Sequence, residues 1–121
     1  MKDRRKSERF PVELNAIYAD EQNNRGKCKV IEISREGTKI ALHLGKKIDA
    51  GTILQIEIEV PARTSPVSGL FSVVCIKELE EKKEFNFVAG GTLIILKPGD
   101  TNTLLRCVFY HSREKDPENI R

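Results

Sequence analysis

Apolar and polar residues alternate along most of the chain. Val12, Leu14, Ala16 and Tyr18 share one parity, with Glu13 and Asn15 on the other. Thr38, Ile40, Leu42 and Leu44 alternate with Lys39, Ala41 and His43, and Leu54, Ile56, Ile58 and Val60 alternate with Gln55, Glu57 and Glu59. A period of two predicts strands with one dry and one wet face. The stretch Leu70 to Leu79 is β-branched and mostly apolar on both faces. Phe85, Phe87 and Ala89 begin a further strand, which meets Gly90-Gly91 and resumes over Leu93 to Leu96. A double glycine inside a strand predicts a bulge, or a corner where a sheet curls. Turns are expected at 22–26, 45–51, 61–69 and 80–84, the third reading PARTSPVSG.

The period changes near the end. Pro98-Gly99 closes the strand region, and Asp100 or Thr101 is placed to cap a helix. Leu104, Val108 and His111 lie on one stripe, with Leu105, Cys107 and Phe109 beside it, which predicts about three turns packed on the sheet. Six or so short antiparallel strands and one terminal helix predict a mainly β fold, a small closed barrel that hides its strand edges.

Composition narrows the classes. A chain of 121 residues, 39% hydrophobic and 32% charged, is a single folded domain rather than a disordered segment. No apolar run approaches the ~18 residues of a membrane-spanning helix, so no membrane insertion is expected. The start, MKDRRKSERF, has charge but no following apolar stretch, unlike a secretory signal. Cys28, Cys75 and Cys107 form no CxxC pair and sit in apolar contexts, which predicts buried, inert thiols in a reducing cytoplasm. The net charge of +3 is mild, but its distribution divides the chain. Residues 1–10 form a basic arm, too polar to fold alone and expected to be flexible. Residues 11–112 are the barrel with its helix, and 113–121 a polar tail of mixed sign.

Signs of catalysis are scarce. His43 and His111 are the only histidines and read as structural, and no metal-ligand spacing or phosphate-binding glycine loop is present. The chain has no Trp and 6% aromatics, so it lacks the stacking platforms of a barrel that binds a nucleic-acid polymer. Two short patterns remain. The first is Arg5-Lys6-Ser7-Glu8-Arg9, preceded by Arg4. It reads either as a solvated basic arm or as a pair of planar forks, each able to take a phosphate or a guanine O6/N7 edge through two hydrogen bonds. The second is Glu32-Ile33-Ser34-Arg35-Glu36-Gly37. It reads either as a strand end and turn or as a carboxylate and hydroxyl on one face, beside a glycine that admits a tight turn.

In this order and spacing the two patterns resemble the PilZ family, which has an RxxxR motif ahead of its first strand and a [D/N]xSxxG motif at its second and third strands. The resemblance covers residues 4 to 112. It implies a six-stranded antiparallel β-barrel with a C-terminal α-helix, no catalytic activity and no cofactor. The implied ligand is cyclic di-GMP, held by Arg5 and Arg9 of the first motif and by Ser34 and Gly37 of the second. Glu32 falls where the family has Asp or Asn. Arg4, a basic residue just ahead of the first motif, goes in the family with an intercalated ligand dimer, implying two nucleotides per chain. The family's single-domain members act as adaptors, so a downstream protein partner is expected, with the ligand drawing the arm onto the barrel face. The other reading is a degenerate PilZ domain that binds protein and no nucleotide.

Overall fold

The structure, a computed structural model, describes residues 10–34, 37–61, 64–80 and 84–115, with 107–115 as backbone only. Six strands precede one helix: β1 (Phe10–Ala19), β2 (Arg25–Ile33), β3 (Thr38–Leu42), β4 (Ile53–Ile58), β5 (Val67–Glu78), β6 (Phe87–Ile95) and α1 (Pro98–Lys115). The strands form a closed barrel in the order β1-β2-β3-β6-β5-β4, every neighbouring pair antiparallel. The mainly β reading with a C-terminal helix is therefore the observed fold.

The period-two residues fill the barrel. Val12, Leu14, Ala16 and Tyr18 of β1 are buried, and so are Leu54, Ile56 and Ile58 of β4, together with Val30, Ile40, Leu42, Phe71 and Val73. Such side chains contribute about 1.5–3 kcal/mol each when fully removed from water. Glu13, Gln55 and Glu57, of the opposite parity, are exposed.

Three departures from the sequence reading have local causes. β3 stops at Leu42, because Leu44 is bridged by a side chain instead of a strand: its N–H donates to Asn86 Oδ1 at 2.9 Å, and Asn86 Nδ2 donates to its carbonyl at 2.8 Å. The helix starts at Pro98, not after Asp100 or Thr101, and runs 18 residues instead of about three turns. Proline suits the first helical position, where its missing N–H has no partner to lose. Asp100 is buried in the first turn, where a negative charge complements the helix dipole. Leu104 joins the barrel core, and α1 packs on β1 and β6. The side chains of Cys107, Val108, Phe109 and His111 lie outside the described residues.

The third departure concerns Cys75. The β5–β6 ladder shifts register between Val73 and Cys75, opposite Gly91 and Gly90. The double glycine thus marks a bulge, as expected, and the bulged strand is β5. A Cβ on Gly91 would overlap the Ser72 carbonyl, so only glycine lets the strands approach here. The inserted residue breaks the alternation and leaves both Val74 and Cys75 exposed, so Cys75 is not the buried thiol its apolar neighbours predict. Cys28 is buried as expected, and burial pushes its thiol up to about 12.

Candidate functional site

The second motif forms the β2–β3 hairpin. Ser34 and Gly37 close a two-residue loop: Ser34 N–H donates to the Gly37 carbonyl at 2.9 Å, and Gly37 N–H donates back at 3.4 Å. The Ser34 hydroxyl knits the same turn, donating to the Gly37 carbonyl at 3.1 Å and accepting from the Gly37 N–H at 3.2 Å. With its proton committed there, the hydroxyl faces a ligand chiefly as an acceptor. Gly37 does not use the left-handed backbone region. Its lack of a side chain matters for another reason: a Cβ would stand 3.2 Å from the Gly91 carbonyl oxygen on β6. The glycine lets the hairpin lie directly against the bulged part of the barrel.

Glu32 is half-buried just after a register shift at Val30, with Pro11 as its cross-strand partner on β1 and Lys39 on β3. Glu32, Ser34 and Gly37 all line one open depression of about 280 Å³. The structure thus brings together the three second-motif residues. The opposite wall consists of Cys75, Gly90, Gly91 and Thr92, and Lys39 stands beside Glu32. The glycine pair leaves that wall without bulk. The volume is just below the usual ligand range of roughly 300–1,000 Å³, so the depression has room for one ring or one polar edge of a larger molecule.

Arg4, Arg5 and Arg9 lie outside the described residues. Their point of attachment does not. Phe10 opens β1 and pairs with Ile33, the residue between Glu32 and Ser34. The first motif therefore joins the barrel directly beside the second.

Sequence reading does not single out Lys39 and Thr92: Lys39 pairs with Glu32 on β2 and Gly90 on β6, and Thr92 follows Gly91 on β6, opposite Ser72. The double glycine is the available signal, and as a bulge or corner it marks this wall without naming those two side chains. Glu32 meets Lys39 across the ladder, while Lys29 pairs with Asn15 and Ala41. Among the described residues no group of His, Cys, Asp or Glu is arranged to hold a metal ion, and no helix is long and apolar enough to cross a membrane.

No protein-family model matches the chain, and no curated protein matches it in sequence. Solved structures do. The PilZ domain of YcgR from Escherichia coli, with c-di-GMP, superposes at a TM-score of 0.65 and 18% identity, over 97% of this chain and 98% of that one. The Bacillus subtilis inhibitor of motility MotI/DgrA superposes at 0.64 and 21% identity, over 99% of this chain and 54% of that one. The fold is that of a PilZ domain.

Proposed function

We propose that this protein is a non-catalytic cyclic di-GMP receptor that acts as a cytoplasmic adaptor for a partner protein. The observation that carries this reading is the pairing of Phe10 with Ile33. That pairing sets Phe10, to which the segment carrying Arg4, Arg5 and Arg9 is joined, beside the depression that Glu32, Ser34 and Gly37 line. The fold likeness to the YcgR domain with c-di-GMP supports it. In this mechanism the arginines clamp guanine edges and phosphates from the arm side, and Arg4 supports a second, intercalated nucleotide. Glu32 and Ser34 meet the ligand from the barrel side. The arm laid over the ligand presents a new surface, and the partner reads that surface.

A second reading, a PilZ-fold domain that binds protein alone, is favoured by Glu32 itself. Its carboxylate sits ~1.3 Å further out than an aspartate's, about one carbon–carbon bond less its tilt, and it faces Lys39 across the ladder.

Calorimetric titration with cyclic di-GMP separates the two. The receptor reading expects saturable binding with up to two nucleotides per chain, and Arg5→Ala and Arg9→Ala each weakening it. A bidentate arginine–guanine contact is worth about 1–3 kcal/mol, hence roughly five- to a hundredfold per substitution. Full-strength binding by the double substitution refutes the arginine clamp, and absence of binding by the parent leaves the protein-only reading.

A further inference from the structure

At the other end of β2 the barrel opens into a cavity of about 840 Å³, well inside the range of small-molecule sites. It is distinct from the motif depression. Lys27 borders the cavity and Glu32 the depression, and five strand residues separate them by ~16 Å. Its floor is apolar: the half-buried Ile48 and Phe85, backed by the buried Tyr18, Leu44 and Leu54. Its rim is cationic, with Arg25 and Lys27 from β2 and Lys46 and Lys47 from the β3–β4 loop, all exposed. Among the described residues two carboxylates, Asp20 and Glu84, stand against these four cations. Asp20 is already engaged by its own turn: it accepts from the backbone N–H groups of Gln22 and Asn24 at 2.9 and 2.8 Å and from Asn24 Nδ2 at 3.0 Å. Those bonds hold its carboxyl below the usual range.

The cavity is also pre-formed. Tyr18, its ring stacked over Gly26, donates its hydroxyl to the His43 carbonyl at 2.8 Å. Asn86 ties down the next residue, Leu44, through both of its backbone groups. Loop and floor are therefore pinned before any ligand arrives, which lowers the entropic cost of binding.

We propose that this mouth of the barrel is a second ligand site, for an amphiphilic organic anion whose apolar body lies on Ile48 and Phe85. Its carboxylate, sulfonate or phosphate then meets Lys46, Lys47, Arg25 and Lys27. A wholly polar anion would leave the floor uncovered, and a neutral apolar molecule would leave the rim cations without a partner.

The test uses the intact chain and the fluorescent anion 8-anilinonaphthalene-1-sulfonate, with N-phenyl-1-naphthylamine, the same body without the sulfonate, as control. The expected result is saturable one-to-one binding, with amide shifts concentrated in Arg25–Lys27 and His43–Ile48 and affinity falling as salt rises. Reversing both loop cations, Lys46→Glu with Lys47→Glu, should weaken binding about tenfold, since each exposed charge pair contributes modestly. Both substitutions lie on an exposed loop, and an unchanged amide spectrum elsewhere confirms that the fold is kept. Cyclic di-GMP should not displace the dye. The site is overturned by non-saturable binding, by shifts outside the mouth, or by displacement with cyclic di-GMP, which would make the mouth the nucleotide's own site. Equal affinity for the neutral control, or indifference to the double reversal, overturns the assignment to an anion. None of these outcomes depends on whether the motif depression binds a nucleotide.

Discussion

Asn86 offers a test of how side chains substitute for strand hydrogen bonds at the mouth of this barrel. Its carboxamide bonds the N–H and the carbonyl of Leu44, at 2.9 and 2.8 Å, both part-buried, while its backbone serves Leu79 and Leu42 independently. Asn86→Ala removes only the first pair. A hydrogen bond contributes about 1 kcal/mol net, and leaving a partly buried group unsatisfied adds to the loss, so the cost should be about 2–3 kcal/mol. At a urea m-value of roughly 1–3 kcal/mol/M, the unfolding midpoint should fall by about 0.7–3 M. Asn86→Asp sharpens the test. One carboxylate oxygen keeps the bond from the Leu44 N–H, but the other faces the Leu44 carbonyl, a repulsion that raises the folded-state pKa above the unfolded one. A raised pKa means stability that is present at low pH, where the protonated acid can donate as the amide did, and that is lost as pH rises through the folded value. Asn86→Asp should thus lie near the parent at about pH 4 and at or below Asn86→Ala at pH 7. A midpoint for Asn86→Ala within a few tenths molar of the parent, or a ranking of the two variants that ignores pH, refutes the bridging role.

Three further outcomes follow from individual side chains. If Glu32 reaches the nucleotide only by freezing an extra torsion, costing a few tenths to ~1 kcal/mol, Glu32→Asp should tighten cyclic di-GMP binding between severalfold and about tenfold by calorimetry. Weaker binding would mean that the site is shaped around the longer side chain and its partner Lys39. For the thiols, alkylation of the folded protein at pH 8 followed by peptide mass spectrometry should label Cys75 rapidly and Cys28 only after unfolding. Because the Cys28 thiol is raised from 9.0 to about 12 in the fold, the unfolded chain ionises first as pH rises. Stability should therefore decline from about pH 9 upward, by at most ~1.4 kcal/mol per pH unit, and a Cys28→Ala variant should lose that slope.

Most of the barrel was legible because alternation is a direct record of a two-faced strand. β1, β3 and β4 could be read from it residue by residue. The parts that escaped are those where the period breaks. β5 reads as apolar on both faces, and only the register against β6 reveals that Val73 points inward while Val74 and Cys75 both face solvent. The halt of β3 at Leu42 depends on Asn86, 42 residues further from Leu44 along the chain, and no local pattern announces such a contact. The second motif was legible as a unit because Glu32, Ser34 and Gly37 come from one hairpin. Lys39 and Thr92 were not, because cross-strand pairing, which sequence spacing does not encode, brings them in. Gly37 closes the tight turn expected of it, and its missing side chain also clears the Gly91 carbonyl oxygen, which would stand 3.2 Å from a Cβ there.

The construction of the barrel also constrains how the proposed receptor could signal. Its interior is filled by side chains at or near full burial, from Val12 to Phe71, and a core packed to crystal-like density transmits little displacement without discrete repacking. The depression lies on the outer surface, on walls fixed by backbone: the Ser34–Gly37 turn on one side and the Gly90–Gly91 contact with β5 on the other. A ligand seated on such walls has few side chains to rearrange. A binding signal must then be expressed where the ligand creates surface, at the junction of Phe10 with Ile33, where the arm enters. Amide exchange measured with and without cyclic di-GMP should accordingly change at residues 1–11 and 31–39 and stay constant in β4. Protection changes spread across Ile53–Ile58 would show instead that the barrel itself has two states.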